Sequence, residues 1–492
     1  MKNLYSDTIV APATTPGTGA ISIVRISGPD SFRIVDAVVL LKHGTVSEAA
    51  AYTIHYGEVV IPSSAPVIPN SAPVIPSEAS VSLLDQVLVS VFRAPHSYTG
   101  EDSVEISTHA SAYIVNELVN LLIKAGARFA EPGEFTKRAF LNGKMDLAQA
   151  EAVADVISST TSASHRVAMN QLKGIFSQEL ASLRSSLLEM ASLLELELDF
   201  SEEDVEFADR EKLQALVQQT LAHVEKLASS FHQGNMIKNG VPVAIVGPAN
   251  AGKSTLLNSL LGEDRAIVSD IPGTTRDSIE EVLNLDGILF RFIDTAGIRE
   301  SSDTVEKIGI DRTFRKLSEA EIVLALLDVT SEESDLLNNL KEIVSKVDFS
   351  SQQLFVLLNK CDLESISGDN KNVTNINNIV LSIVNKYNIL KLSAKSHAGL
   401  EELKQQLVAT EKDLIPNADS TFVTNARHYE ALLQASAALR NVSTSLTRNL
   451  PTDLVAEDMR AALSSINSIL GTDLLDPEQI LHNIFQNHCI GK

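Results

Sequence analysis

The chain has 492 residues, enough for about three domains of ordinary size. Hydrophobic residues make up 44 % and charged residues 21 %, with 23 glycines and 16 prolines, which excludes collagen-like, mucin-like and wholly disordered polymers. With 40 Lys and Arg against 63 Asp and Glu the formal net charge is −23, so the chain has no bulk electrostatic footprint for nucleic acid. No run approaches the ~18 apolar residues of a membrane helix, and Met1–Asp7 opens no secretory signal. Two cysteines, Cys361 and Cys489, allow at most one disulfide. These features favour the cytoplasm.

Residues 1–145 alternate short β-branched runs with turn signals, as in Ile21–Ile26 before Ser27-Gly28-Pro29, Val87–Phe92 and Val104–Ile106, and predict an α+β domain. A tandem repeat, Ser64–Pro69 and Ser71–Pro76, carries prolines that bar a regular ladder and reads as an extended surface insertion. From Leu147 the pattern turns helical. Met169, Leu172, Phe176, Leu180, Leu183, Leu187, Met190 and Leu194 recur at helical spacing as one apolar stripe. The acidic stretch from Glu195 to Glu206 reads as a solvated helix end and loop rather than a metal site. Strands alternate with helices over 241–412, the pattern of a parallel α/β sheet. Helices return over 413–492, where Met459, Leu463, Ile466 and Leu470 share a face, Gly471 is a C-cap candidate and Asp476-Pro477-Glu478-Gln479 has the form of a helix start. Helical segments 146–240 and 413–492 flanking the α/β unit predict a multidomain α/β protein in which that unit is inserted into one all-α domain.

The strongest motif is Gly247-Pro248-Ala249-Asn250-Ala251-Gly252-Lys253-Ser254, between the apolar run Val243–Val246 and the helical run Thr255–Leu261. That strand–loop–helix context makes a phosphate cradle: backbone N–H groups approach the phosphates, and the helix N-terminus adds positive potential. Lys253 would reach the β/γ-phosphates and Ser254 would hold Mg²⁺. Asp294-Thr295-Ala296-Gly297 follows the run Leu289–Ile293, with Asp294 placed for the Mg²⁺ shell and Gly297 for the γ-phosphate. Asn359-Lys360-Cys361-Asp362 follows Leu354–Leu358. A carboxylate there accepts two hydrogen bonds from guanine, which adenine cannot offer. Ser393-Ala394-Lys395 supplies a backbone contact to the base oxygen. Four motifs in this order resemble the GTPase superfamily, which implies GTP as the ligand and a Ras-like fold for 241–412.

One departure concerns catalysis. Ile298 stands where Ras-like enzymes carry a water-orienting glutamine, and an isoleucine side chain can neither donate nor accept a hydrogen bond. Water positioning then comes from elsewhere, Glu306 being a reachable carboxylate, or hydrolysis is very slow. Asn250 can lend its carbonyl oxygen to a monovalent cation that neutralises transition-state charge.

Outside the G motifs the chain resembles the tRNA-modifying GTPase family MnmE (TrmE). The resemblance rests on Asp7–Thr14, Val24–Gly28, Tyr98–Asp102, the long run Pro132–Ala152 and the terminal Cys489-Ile490-Gly491-Lys492. It implies K⁺-dependent, dimer-activated GTP hydrolysis coupled to a flavoprotein partner, MnmG (GidA). Together they add an aminomethyl or carboxymethylaminomethyl group to C5 of the wobble uridine of certain tRNAs, with a one-carbon unit from 5-formyl- or methylene-tetrahydrofolate. It assigns homodimerisation and folate binding to the N-terminal domain, with folate contacts at Arg25, Glu105, Lys144 and Lys492. It places K⁺ at Asn250, Ser269, Ile271 and Thr274, puts Thr275 on Mg²⁺ beside Ser254, and makes Glu306 the catalytic carboxylate with Lys253 and Thr275. The nucleotide contacts it implies run over Asn250–Thr255, Ser269, Thr274, Thr275, Asp294–Gly297, Asn359, Lys360, Asp362 and Ser393–Lys395.

Cys489 has two readings, a nucleophile on a pyrimidine ring or a small residue that places Lys492, and the second is preferred. Thr18, where many relatives carry arginine, and His109-Ala110-Ser111 depart from the family pattern near the implied folate region. A rival function is a regulatory or ribosome-assembly GTPase, and the −23 charge leans towards that or towards a partner that carries most of the tRNA contact; a self-sufficient folate transferase is weakened by the lack of a flavin fingerprint. Folate binding by 1–145 discriminates between the first two.

Overall fold

The computed structural model describes residues 7–62, 81–199, 210–262, 281–293, 317–363, 388–412, 421–472 and 491. Contacts group into two compact units, Met1–Ala154 with Asn467–Lys492, and Asp155–Ile466. The proline-rich repeat and the helix start at Asp476 lie outside the described residues.

The first unit is built on β1 (Ile9–Pro12), β2 (Ile21–Ser27), β3 (Val39–Leu41), β4 (Thr53–Pro62), β5 (Val81–Phe92), β6 (Ser103–His109) and β7 (Arg128–Phe129). They form one sheet in the order β3-β4-β5-β6-β2-β1-β7, antiparallel except where β1 meets β7. The two-residue period of a strand sends Val24, Ile26, Val89, Val91, Val104 and Ile106 to one face. There they pack with Ile34 of α1 (Ser31–Asp36) and Leu118 and Leu122 of α2 (Ala112–Lys124). β5 starts six residues before the predicted Val87 because it pairs with β4 along the whole length of that strand. The other face carries Arg25, Glu105 and the exposed Ile21, Ile54, Tyr56 and Leu88.

Arg138, on α3 (Glu134–Leu141), is fully buried. A buried guanidinium persists only if its charge is met, and Asp7, Glu134 and Glu101 meet it at 2.8, 3.0 and 3.3 Å. Arg128 closes the network onto Glu134 at 2.6 Å and Asp7 at 2.8 Å. Burial works to raise the Glu134 carboxyl, but Arg128, the Glu131 amide and Arg138 hold it below its ordinary value. Asp7 is lowered in the same way, with Arg128 and Arg138 outweighing burial.

Helices follow: α4 (Leu147–Ser158), α5 (Ser162–Leu172), α6 (Ile175–Asp199), α7 (Arg210–Ser229) and α8 (Phe231–Asn239). The single stripe expected over Met169–Leu194 is divided between α5 and α6. Gly174, at φ +81°, ends the first of them in a left-handed residue. Phe176, Leu180, Leu183, Leu187, Met190 and Leu194 still form one buried face. Within the acidic stretch Glu197 is buried, accepting from Arg210 at 3.1 Å and Thr452 at 2.8 Å, so this residue is a packing element and not part of a solvated end.

The α/β part has β8 (Val241–Val246), α9 (Lys253–Leu261), β9 (Glu281–Leu285), β10 (Ile288–Ile293), β11 (Ile322–Asp328), α10 (Glu333–Val344), β12 (Gln353–Asn359), β13 (Asn388–Lys391) and α11 (Leu400–Thr410). Its sheet runs β13-β12-β11-β8-β10-β9, parallel except for β9. Beyond it come α12 (Ala426–Thr447) and α13 (Thr452–Leu470). α12 packs back on α7, with Ser443 accepting from Gln214 and Gln218 and Arg440 pairing with Glu225 at 2.7 Å. Helices from before and after the sheet therefore meet, as an insertion requires. Val167, Met236, Ile237 and Phe422 belong to the same apolar core as the sheet. Among the described residues no helix is long and apolar enough to cross a membrane.

Candidate functional site

The chain leaves β8, builds β9 and β10 on one side of it, and then crosses to β11, β12 and β13 on the other. β8 is thus the switch point of the parallel sheet, where a crevice opens beyond the strand ends. The loop from Gly247 to Gly252 lies there. A Cβ on Gly247 would collide with the Leu326 carbonyl, and one on Gly252 with the Asn359 amide. Gly252 has φ +99° and Asn250 φ +61°, left-handed conformations that turn backbone N–H groups into one concavity. Lys253 and Ser254 open α9, whose N-terminus adds a positive potential. Lys253 Nζ donates to the Gly247 and Pro248 carbonyls, both at 2.8 Å. Burial lowers its proton affinity, and two neutral carbonyls are poor counter-charges, so an arriving polyanion is the better partner.

Asn359 ends β12 and is buried. Its Nδ2 donates to the Ala251 carbonyl at 2.8 Å and its Oδ1 accepts from the Ala394 amide at 2.9 Å. Ser259 Oγ, on α9, donates to the Ala394 carbonyl at 2.6 Å. The phosphate-type loop and the Ser393–Lys395 loop are therefore fixed to each other. Lys360, at φ +68°, pairs with Asp328 at 2.6 Å. Burial favours the neutral Asp328 acid, but Lys360 and Thr330 outweigh it and hold the carboxyl below its usual range. Asp362 and Lys395 are exposed at the mouth. Asp328 and Ser259 escape a sequence reading. The apolar run Ile322–Leu327 ending in Asp-Val-Thr is the local signal for the first, since Thr330 donates back to Asp328 at 2.7 Å.

Ser269, Ile271, Thr274, Thr275, Asp294–Gly297, Ile298 and Glu306 lie outside the described residues.

A second constellation sits on the open face of the first unit. Arg25 and Glu105 are directly opposite each other in β2 and β6. Arg25 Nε and Nη2 reach Glu105 Oε1 at 2.9 and 2.8 Å. The guanidinium lies 5.3 Å from the Tyr98 ring and 5.7 Å from Phe135, a cation–π arrangement. Arg25 Nη1 also donates to the Gly491 carbonyl at 3.2 Å. Lys144 Nζ donates to the Pro95 carbonyl at 2.9 Å. His109 Nδ1 meets the buried Asp85 at 2.7 Å. Lys492 and Cys489 are outside the described residues. Tyr98 and Phe135 enclose Arg25 from distant parts of the chain, a contact no local pattern announces.

Comparison with known proteins places these sites in context. The family model for the GTP-binding protein TrmE N-terminus matches residues 8–144, and that for the MnmE helical domain matches 147–489. The tRNA modification GTPase MnmE of Bacteroides fragilis is 46 % identical over 491 residues, covering 99 % of this chain and 100 % of the relative. That of Bacteroides thetaiotaomicron is 47 % identical over 493 residues, with 99 % and 100 % covered. Among solved structures, Aquifex aeolicus Era bound to GDP.AlF4- is 30 % identical over 40 % of this chain and 66 % of that chain, with a TM-score of 0.27.

Proposed function

We propose a function from one premise: the chain belongs to the MnmE (TrmE) family of tRNA modification GTPases. It hydrolyses GTP in the cytoplasm, and the hydrolysis drives modification of the wobble uridine of certain tRNAs. The observation that carries this reading is the fixed pairing of the Gly247–Gly252 loop with the Asn359 and Ala394 loops at the switch point of the sheet.

Each group at the site has a task. Backbone N–H groups of Asn250–Thr255 and the Lys253 ammonium take the phosphates, replacing the Gly247 and Pro248 carbonyls as partners of Nζ. Asp362 accepts from the guanine edge, and a backbone group of the Ser393–Lys395 loop reads its oxygen. The hydroxyls of Ser254 and Thr275, with Asp294, are hard oxygen donors that would hold Mg²⁺, which would neutralise phosphate charge. Asn250, Ser269, Ile271 and Thr274 would hold K⁺, and Glu306 would orient the attacking water.

The chain works as a homodimer through its N-terminal unit and with an MnmG (GidA) flavoprotein. Supporting self-association, Ile54, Tyr56 and Leu88 are exposed on one sheet face, with Tyr56 directly opposite Leu88. Arg25, Glu105, Lys144 and Lys492 take a tetrahydrofolate that brings the one-carbon unit.

The deciding experiment is GTP turnover by the purified protein in K⁺ or Na⁺ at equal ionic strength. Stimulation by K⁺ alone is expected. Equal slow turnover in both would remove the cation mechanism and leave a GTP-binding protein. Binding of 5-formyltetrahydrofolate by calorimetry separately tests the N-terminal role.

A further inference from the structure

Lys360 is a non-glycine residue in the left-handed region, at φ +68°. An L side chain takes up that backbone at a cost, so the surrounding fold must hold it there. Asp328 ends β11 in register with Asn359 at the end of β12, and the Val329 amide donates to the Asn359 carbonyl at 3.1 Å. Both Asp328 oxygens are engaged. Oδ1 accepts from the Thr330 amide at 3.0 Å and from the Thr330 hydroxyl at 2.7 Å, while Oδ2 meets Lys360 Nζ at 2.6 Å. The carboxylate is therefore fixed in direction, and it fixes the ammonium. Lys360 in turn opens a tight turn: the Leu363 amide donates to the Lys360 carbonyl at 3.0 Å, and the Cys361 amide donates to the Leu392 carbonyl at 3.3 Å. Asp362 lies inside this turn with its side chain exposed at the mouth. Where that side chain points follows from the backbone at 360.

We propose that Asp328 is a positioning residue for recognition of the guanine base: by holding the Lys360 ammonium it fixes the left-handed turn that presents the Asp362 carboxylate. The proposal rests on the reading of Asp362 as the acceptor for the guanine N1–H and 2-amino groups, and adds what sets the direction of that acceptor. Asp328 acts through Lys360 and not on the nucleotide itself. Base selectivity then depends on a residue from a neighbouring strand, 34 positions before Asp362.

Binding of GTP and ITP to the full-length protein, read by displacement of a fluorescent guanine nucleotide, tests it. ITP lacks only the 2-amino group, so the ratio of the two affinities reads the hydrogen bond between that group and Asp362. Asp328→Asn keeps the shape of the side chain and an acceptor for Thr330 but loses the charge. GTP affinity is expected to fall about tenfold, and the GTP-to-ITP ratio at least about threefold. A merely structural loss would weaken both nucleotides alike and leave the ratio unchanged. Lys360→Met removes the other half of the pair and should lower the ratio by a similar factor. The double variant should lower it no further than the lower single variant, because both break one ion pair. Lys360→Met also carries the test if Asp328→Asn does not fold. An unchanged ratio in the folded single variants would overturn the proposal, and so would a double variant whose loss is the product of the two. If the unsubstituted protein showed no preference for GTP over ITP, Asp362 itself would be removed from base recognition, and the proposal with it. A preference present there and kept in full by Asp328→Asn would remove Asp328 alone.

Discussion

Asn359 and Ala251 are joined by a hydrogen bond of 2.8 Å from a side-chain amide to a loop carbonyl, across 108 positions of sequence. The same amide group accepts from Ala394, so one buried side chain holds both the phosphate-side loop and the base-side loop. Asn359→Ala leaves the Ala251 carbonyl and the Ala394 amide without this partner. Each unmet buried group costs about 1–3 kcal/mol. GTP affinity should fall by about ten- to a hundredfold, read by displacement of a fluorescent guanine nucleotide.

Asp362→Asn exchanges a two-fold acceptor for a group with one acceptor and one donor. GTP affinity is expected to fall by at least about a hundredfold, the cost of mispairing the hydrogen-bonding groups of a base. Xanthosine triphosphate, which carries an oxygen where guanine has its 2-amino group, should gain. Competition binding with both nucleotides checks the exchange, and unchanged preference for GTP would remove Asp362 from base recognition.

Glu306→Ala should lower GTP turnover by about a hundredfold or more while leaving GTP affinity within a few-fold, because positioning of water acts on the transition state and not on ground-state binding. Single-turnover hydrolysis and equilibrium binding separate the two. A collapse of affinity would show that the carboxylate has another role.

Gly234, on α8, lies against the backbone at 422–423: a Cβ there would collide with the Val423 carbonyl and stand 3.1 Å from Phe422 Cβ. The obstacle is backbone and has no rotamer to change. Gly234→Ala is expected to destabilise the second unit by about 1–3 kcal/mol, measured by urea unfolding. Unchanged stability of Gly234→Ala would mean that the 421–424 segment yields easily.

Acid should weaken the Arg138 network. The Asp7 and Glu134 carboxyls sit below their ordinary values when folded. Their contribution is therefore complete above the unfolded carboxyl range, about pH 4, and is lost as the pH falls through the lower folded values. Arg138→Leu, which strands buried carboxylates, should cost about 3–5 kcal/mol at neutral pH. The gap to the unsubstituted protein should narrow below about pH 4, as the stranded groups take up protons. A gap independent of pH would indicate lost packing instead of lost charge pairing.

The α/β architecture, the flanking helices and the guanine-type loops were legible in the chain because each is written in local chemistry. Alternating runs made β2, β6, β10 and β12; a glycine-rich loop between an apolar strand and a helix marked Lys253 and Ser254; Asn-Lys-Cys-Asp after β12 marked the base side. Other features depend on groups that meet only when the chain closes on itself. The apolar spacing around Gly174 does not separate one long helix from two, because the left-handed residue leaves the buried face in phase. Glu197 reads as solvated until Arg210 and Thr452 surround it. Arg25 and Glu105 look like two surface charges 80 residues apart, and their register in neighbouring strands makes them one ion pair under Tyr98 and Phe135. By itself the sequence determined which loops and residues are candidates for nucleotide chemistry, since spacing along a loop sets which backbone and side-chain groups can converge on a phosphate. Only the tertiary structure decided what holds those loops together and which groups surround Arg25, since burial and pairing between distant segments are properties of the closed chain.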